Sequence, residues 1–99
     1  MLIIEQNINK IRALCKIHNV ETLYLFGSAT NENFSQESDI DFLVRFKKFD
    51  LAKYFENYIT LKENLKNIFK KEIDLIEEQT LKNPILIKSI NDNKELIYG

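Results

Sequence analysis

Asp39-Ile40-Asp41-Phe42-Leu43-Val44-Arg45-Phe46 alternates in side-chain character with the period of a β-strand. Ile40, Phe42 and Val44 take one face, and Asp39, Asp41 and Leu43 take the other. Upstream, Thr22-Leu23-Tyr24-Leu25-Phe26 is aromatic, β-branched and apolar and runs into Gly27-Ser28, which predicts a buried strand ending in a turn. Ten residues separate that turn from Asp39, and their polar core from Thr30 to Glu37 predicts an exposed loop. Downstream, Leu51, Tyr54, Phe55, Tyr58, Ile59, Leu61, Leu65, Ile68 and Phe69 form the apolar stripe of a helix from Leu51 to Phe69. Glu72-Ile73-Asp74-Leu75-Ile76 predicts a third strand, and Asn83-Pro84 a helix start, with Asn as cap and Pro in the first turn. That helix runs to Asn91, and Glu95 to Tyr98 is a last short strand or a docked tail. Apolar residues at 8, 11, 14, 15 and 17 predict a first amphipathic helix from Glu5 to His18. The order is helix, strand, strand, helix, strand, helix. It places the chain in the α/β (α+β) class, a small mixed β-sheet with helices packed against it.

Composition narrows the function. At 99 residues the chain is expected to form one domain over residues 1–99. The formal net charge of −1 argues against a phosphate-tracking surface, so direct nucleic-acid binding is not expected. Lys62, Lys66, Lys70 and Lys71 read as a solvated helix face. The lone Cys15 excludes an internal disulfide and reads as a small core hydrophobe rather than a thiol paired with His18. The apolar opening Met1-Leu2-Ile3-Ile4 meets Glu5 too soon for a signal peptide, and no run approaches the ~20 apolar residues of a membrane span. A cytoplasmic protein with no membrane partner is expected.

The chemistry lies in the acids and the turn. Side chains two apart on a strand project from one face about 6.5–7 Å apart at the backbone, so Asp39 and Asp41 can converge on a cation. If the strand of Asp74 lies alongside, a third carboxylate joins them. Two carboxylates about 5 Å apart repel by about 3 kcal/mol at an effective dielectric near 20, which calls for a cation or a proton among them. Oxygen-only donors point to Mg²⁺ or Mn²⁺. A pair of such ions can activate an attacking hydroxyl and stabilise a leaving phosphate. Gly27 lets the backbone approach a phosphate closely, and the Ser28 hydroxyl with the turn's N–H groups can cradle a triphosphate tail. Ser38 reads as a local backbone hydrogen-bonder, and Glu77 and Glu78 as solvated.

Leu25-Phe26-Gly27-Ser28, Asp39-Ile40-Asp41-Phe42-Leu43-Val44 and Glu72-Ile73-Asp74-Leu75 together resemble the nucleotidyltransferase superfamily related to DNA polymerase β. More narrowly, the chain resembles the minimal nucleotidyltransferases (MNT) encoded beside HEPN-domain proteins as toxin–antitoxin pairs. The resemblance implies a nucleotidyltransferase fold, with Asp39 and Asp41 as ligands for two Mg²⁺ (or Mn²⁺) ions and Asp74 as the third carboxylate. Gly27 and Ser28 would contact the triphosphate of ATP. It also implies transfer of AMP from ATP to a tyrosine hydroxyl of a HEPN toxin, silencing its RNase. One departure stands out: relatives often carry Ala-Arg-Gly after Gly-Ser, where this chain has Ala29-Thr30-Asn31-Glu32. Asn31 therefore leaves a phosphate-facing cation to be found elsewhere, with Arg45, Lys47 and Lys48 as candidates.

Two other functions fit the same residues. One is a non-catalytic antitoxin that neutralises its partner by binding. The other is one subunit of an aminoglycoside-type nucleotidyltransferase. Crowding three acids favours catalysis, because pure binding gives no reason for it. In a chain this short, acceptor specificity would come from a partner surface or a second copy, in a homo- or hetero-oligomer.

Overall fold

The computed structural model describes residues 2–27 and 39–99. Ser28, Asn31 and the expected loop from Thr30 to Glu37 lie outside the described residues.

Two short helices open the chain, α1 (Leu2–Gln6) and α2 (Ile8–Ile17), where the periodicity predicts one. Asn7 divides them: its Nδ2 donates to the Ile3 carbonyl at 2.8 Å, while its backbone N–H turns to Ile4. The side chain thus takes the acceptor that an unbroken helix would give to the backbone. Beyond α2, Asn19 adopts the left-handed conformation (φ 60°) that commonly ends helices.

Strand β1 (Val20–Phe26) pairs antiparallel with β2 (Ile40–Phe46) and, along its other edge, with β4 (Glu95–Tyr98). The last segment is therefore a strand and not a docked tail. After a 3-10 turn at Leu51–Lys53, α3 (Tyr54–Phe69) carries the chain back to β3 (Ile73–Glu77), which lies parallel to β2. The sheet order is β3-β2-β1-β4. Helix α4 (Pro84–Asn93) starts as the sequence predicts: Asn83 Oδ1 accepts from the N–H groups of Ile85 and Leu86 at 3.0 and 3.4 Å, with Pro84 in the first turn.

The strand alternation separates two apolar clusters. Leu23, Leu25, Ile40, Phe42, Val44, Ile73 and Leu75 meet Ile11 and Cys15 of α2 and Leu61, Leu65 and Phe69 of α3. Each fully buried side chain of this size contributes about 1.5–3 kcal/mol. On the opposite face a smaller cluster joins Phe26 and Leu43 to Ile90 of α4. Burial pushes the Cys15 thiol up to about 12, consistent with an inert core residue. His18 pairs with Asn57 instead: Asn57 Nδ2 donates to the His18 carbonyl at 2.7 Å, and the His18 Nδ1 lies 3.1 Å from Asn57 Oδ1.

The α3 stripe needs correcting. Tyr54 and Tyr58 pack against the core, but Phe55 is 75% and Leu51 84% exposed, and Ile59 is also exposed. A residue directly after one that faces the core turns about 100° away, and at this end of α3 that turn carries Phe55 into solvent. Similarly, α4 buries Ile90 and leaves Ile85 and Leu86 in solvent. Among the described residues no helix is long and apolar enough to cross a membrane.

Candidate active site

Side chains of the smaller-cluster face belong to Tyr24 and Phe26 on β1 and, by alternation, to Asp39, Asp41, Leu43 and Arg45 along β2. The parallel register sets Asp41 directly opposite Asp74, and the antiparallel register sets it opposite Phe26, one residue before Gly27. Hence Asp74, Asp41 and the Gly27 turn form one row across three strands, with Asp39 just beyond the start of β2. The backbone reinforces the row, since the Ile40 N–H donates to the Glu72 carbonyl at 3.1 Å.

Gly27 fits this place for two reasons. Its φ of 76° lies in the left-handed region that side chains avoid, and a Cβ built there would fall 2.3 Å from Asp41 Oδ2. The missing side chain leaves room for the carboxylate and for whatever approaches it. Asp41 is half-buried, while Asp39 and Asp74 are exposed. Burial first, then the charges of Asp74 and Asp39, holds the Asp41 carboxyl above its ordinary range.

The donor set suits Mg²⁺ or Mn²⁺ by chemistry, being oxygen only. Among the described residues, no three carboxylate, thiol or imidazole side chains converge into a ready-made metal cage. An ion held by one or two carboxylates and by substrate phosphates needs no such cage, and Mg²⁺ is commonly held in that way. The residues fit the ion on those terms.

The cations proposed from sequence lie elsewhere. Arg45 stands four residues along β2 from Asp41, about 13 Å at strand rise, and its Nε donates to Glu78 Oε2 at 2.8 Å. Lys47 and Lys48 lie farther still, past the end of β2. Glu77 and Glu78 are not merely solvated: Glu78 holds Arg45, and Glu77 accepts a hydrogen bond from the Tyr54 hydroxyl. Lys66, while still solvated, also meets Glu72 at 2.9 Å. One cation that sequence spacing did not single out is Lys94, whose Nζ lies 4.1 Å from the ring centroid of Tyr24. Only the β1–β4 pairing brings these two together.

Acids on two neighbouring strands beside a glycine turn on the third, on a mixed sheet backed by helices, define a nucleotide-transfer scaffold. The chain belongs to the polymerase β nucleotidyltransferase family, whose sequence profile matches residues 9–99. Among known proteins it is 36% identical over 81 residues to MJ1379 of Methanocaldococcus jannaschii, which carries the provisional name protein adenylyltransferase; the match covers 82% of this chain and 78% of that one. MJ0128 of the same organism, with the same provisional name, is 34% identical over 82 residues, covering 82% and 78%.

Solved structures share the fold. One provisionally described as a minimal nucleotidyltransferase superposes with a TM-score of 0.76 at 22% identity, covering 92% of this chain and 89% of that one. A toxin–antitoxin structure with AMP-PNP gives 0.69 at 24% identity, covering 94% and 73%. The tri-AMPylated Shewanella oneidensis HEPN toxin in complex with MNT antitoxin gives 0.65 at 21% identity, covering 97% and 72%.

Proposed function

We propose that this protein is a metal-dependent protein adenylyltransferase that moves AMP from ATP to a hydroxyl, that of a tyrosine on a HEPN-type partner, and so acts as its antitoxin. The observation that carries the reading is the register of Asp41 opposite Asp74 beside a glycine with no room for a side chain. Relatives named for protein adenylylation and a fold shared with MNT–HEPN complexes support it.

In this reading Asp39 and Asp41 hold Mg²⁺, with Asp74 as the third carboxylate, and Gly27 and Ser28 receive the triphosphate. Ions held there would supply neutralising charge to the phosphates and activate the acceptor hydroxyl. The acceptor oxygen attacks the α-phosphorus in line, its bond forming as the bond to pyrophosphate breaks. In the same reading Asp74, exposed on the edge strand, takes the hydroxyl proton. Residues 1–99 act as one domain, and the surface of the acceptor protein contributes to specificity.

The test is mass spectrometry of the protein encoded beside this one after incubation with the chain, ATP and Mg²⁺. An AMP adduct that disappears with Asp39→Asn plus Asp41→Asn supports transfer. Full protection of cells by the doubly substituted chain, with no adduct on its partner, would assign neutralisation to binding alone.

A further inference from the structure

Strand β3 is an edge of the sheet, so it is held to β2 along one side only. The Glu72 carbonyl bonds to Ile40 of β2, and alternation in a parallel ladder then turns the carbonyls of Ile73, Leu75 and Glu77 outward. Helix α3 supplies partners for that edge. The Tyr58 hydroxyl donates to the Leu75 carbonyl, and the Tyr54 hydroxyl donates to Glu77 Oε2. Four residues of helix rise about 6 Å and two residues of strand about 6.6 Å, so one helical turn matches one strand repeat. The rungs run in antiparallel order, 54 to 77 and 58 to 75, and the Lys66–Glu72 pair extends them. Asp74 therefore sits between two rungs. Burial, with the nearby Asp74 and Glu77 charges, keeps the Tyr58 phenol above its ordinary value and hence a donor.

Resting on the function proposed above, we propose that Tyr58 is a positioning residue for nucleotide transfer. Through the Leu75 carbonyl it fixes the edge strand and thereby sets Asp74 beside Asp41. The Lys66–Glu72 pair is largely exposed and adds little, so the hydroxyl rung dominates.

The test is Mn²⁺ binding to the full chain, followed by electron paramagnetic resonance without nucleotide. Tyr58→Phe should weaken Mn²⁺ by about tenfold, as loss of a supporting contact does at metal sites. It should also speed amide exchange along β3. In the Asp74→Asn background the same change should cost nothing further. Transfer to the partner should lose kcat and keep KM for ATP, while Tyr98→Phe, which removes a hydroxyl on β4 at the opposite edge of the sheet, changes neither.

Unchanged Mn²⁺ affinity in Tyr58→Phe, or losses that multiply with Asp74→Asn, overturns the inference and leaves the proposed function standing. Should Tyr58→Phe not fold, Tyr54→Phe carries the test. Its loss must likewise vanish with Asp74→Asn, and a multiplicative loss again overturns the inference. A wild-type chain that binds no Mn²⁺ overturns the proposed function and this inference with it.

Discussion

Phe42 and Leu43 are neighbours in sequence and stand on opposite faces of the sheet. Beneath Phe42 lies a continuous core closed by α2 and α3. Around Leu43 the helical cover is α4 alone, contributing the buried Ile90, and the other β2 side chains on that face are Asp39, Asp41 and Arg45. One face is optimised for exclusion of water and the other retains charges that oppose folding. The difference teaches where stability and chemistry can be changed separately. The inner face can be weakened without touching the acids, and the acids can be neutralised without opening the core.

The largest effect should fall on chemistry alone. Asp39→Asn plus Asp41→Asn should reduce transfer by about a thousandfold or more, because metal charge stabilisation is worth several kcal/mol. An unchanged circular dichroism spectrum would show that the other face is intact.

The faces should next separate in urea. Phe42→Ala should cost about 3–5 kcal/mol, and Leu43→Ala about 2 kcal/mol, since its site under α4 can relax toward solvent. Equal losses would erase the contrast between the faces.

A smaller effect has the opposite sign. The Asp41 carboxyl is raised in the folded chain, so its ionised form disfavours folding above that raised value. Metal-free Asp41→Asn should therefore melt higher than wild type near neutral pH. The gain should shrink as pH falls through the raised value toward about 3.9, the unperturbed carboxylate value. Melting curves across that range in chelator would check it.

The smallest belongs to the helix that backs the core. Lys70 closes α3 at φ 57°, and Lys70→Gly should add about 1 kcal/mol of stability by relieving the left-handed strain, with transfer unaffected.

Much of this organisation was legible in the sequence. The alternation of Ile40, Phe42 and Val44 against Asp39, Asp41 and Leu43 gave both faces of β2, and Asn83-Pro84 marked the start of α4. Other features depend on which elements meet. A stripe containing both Tyr54 and Phe55 does not say which one faces inward until β3 offers Glu77 to the Tyr54 hydroxyl. Glu78 reads as solvated in the sequence because its partner, Arg45, lies 33 residues away on β2. The break at Asn7 turns on a single side-chain amide, which apolar periodicity does not register.

The parallel pairing of β2 with β3 also fixes when the site can exist. Asp41 and Asp74 meet only after the whole of α3 has crossed between them, whereas the β1–β2 pairing needs a shorter closure. On a ribosome, a hairpin bearing the first two acids would emerge well before its third member. The β1–β2 pair can therefore close early, while the juxtaposition of Asp41 with Asp74 waits for the segment through β3.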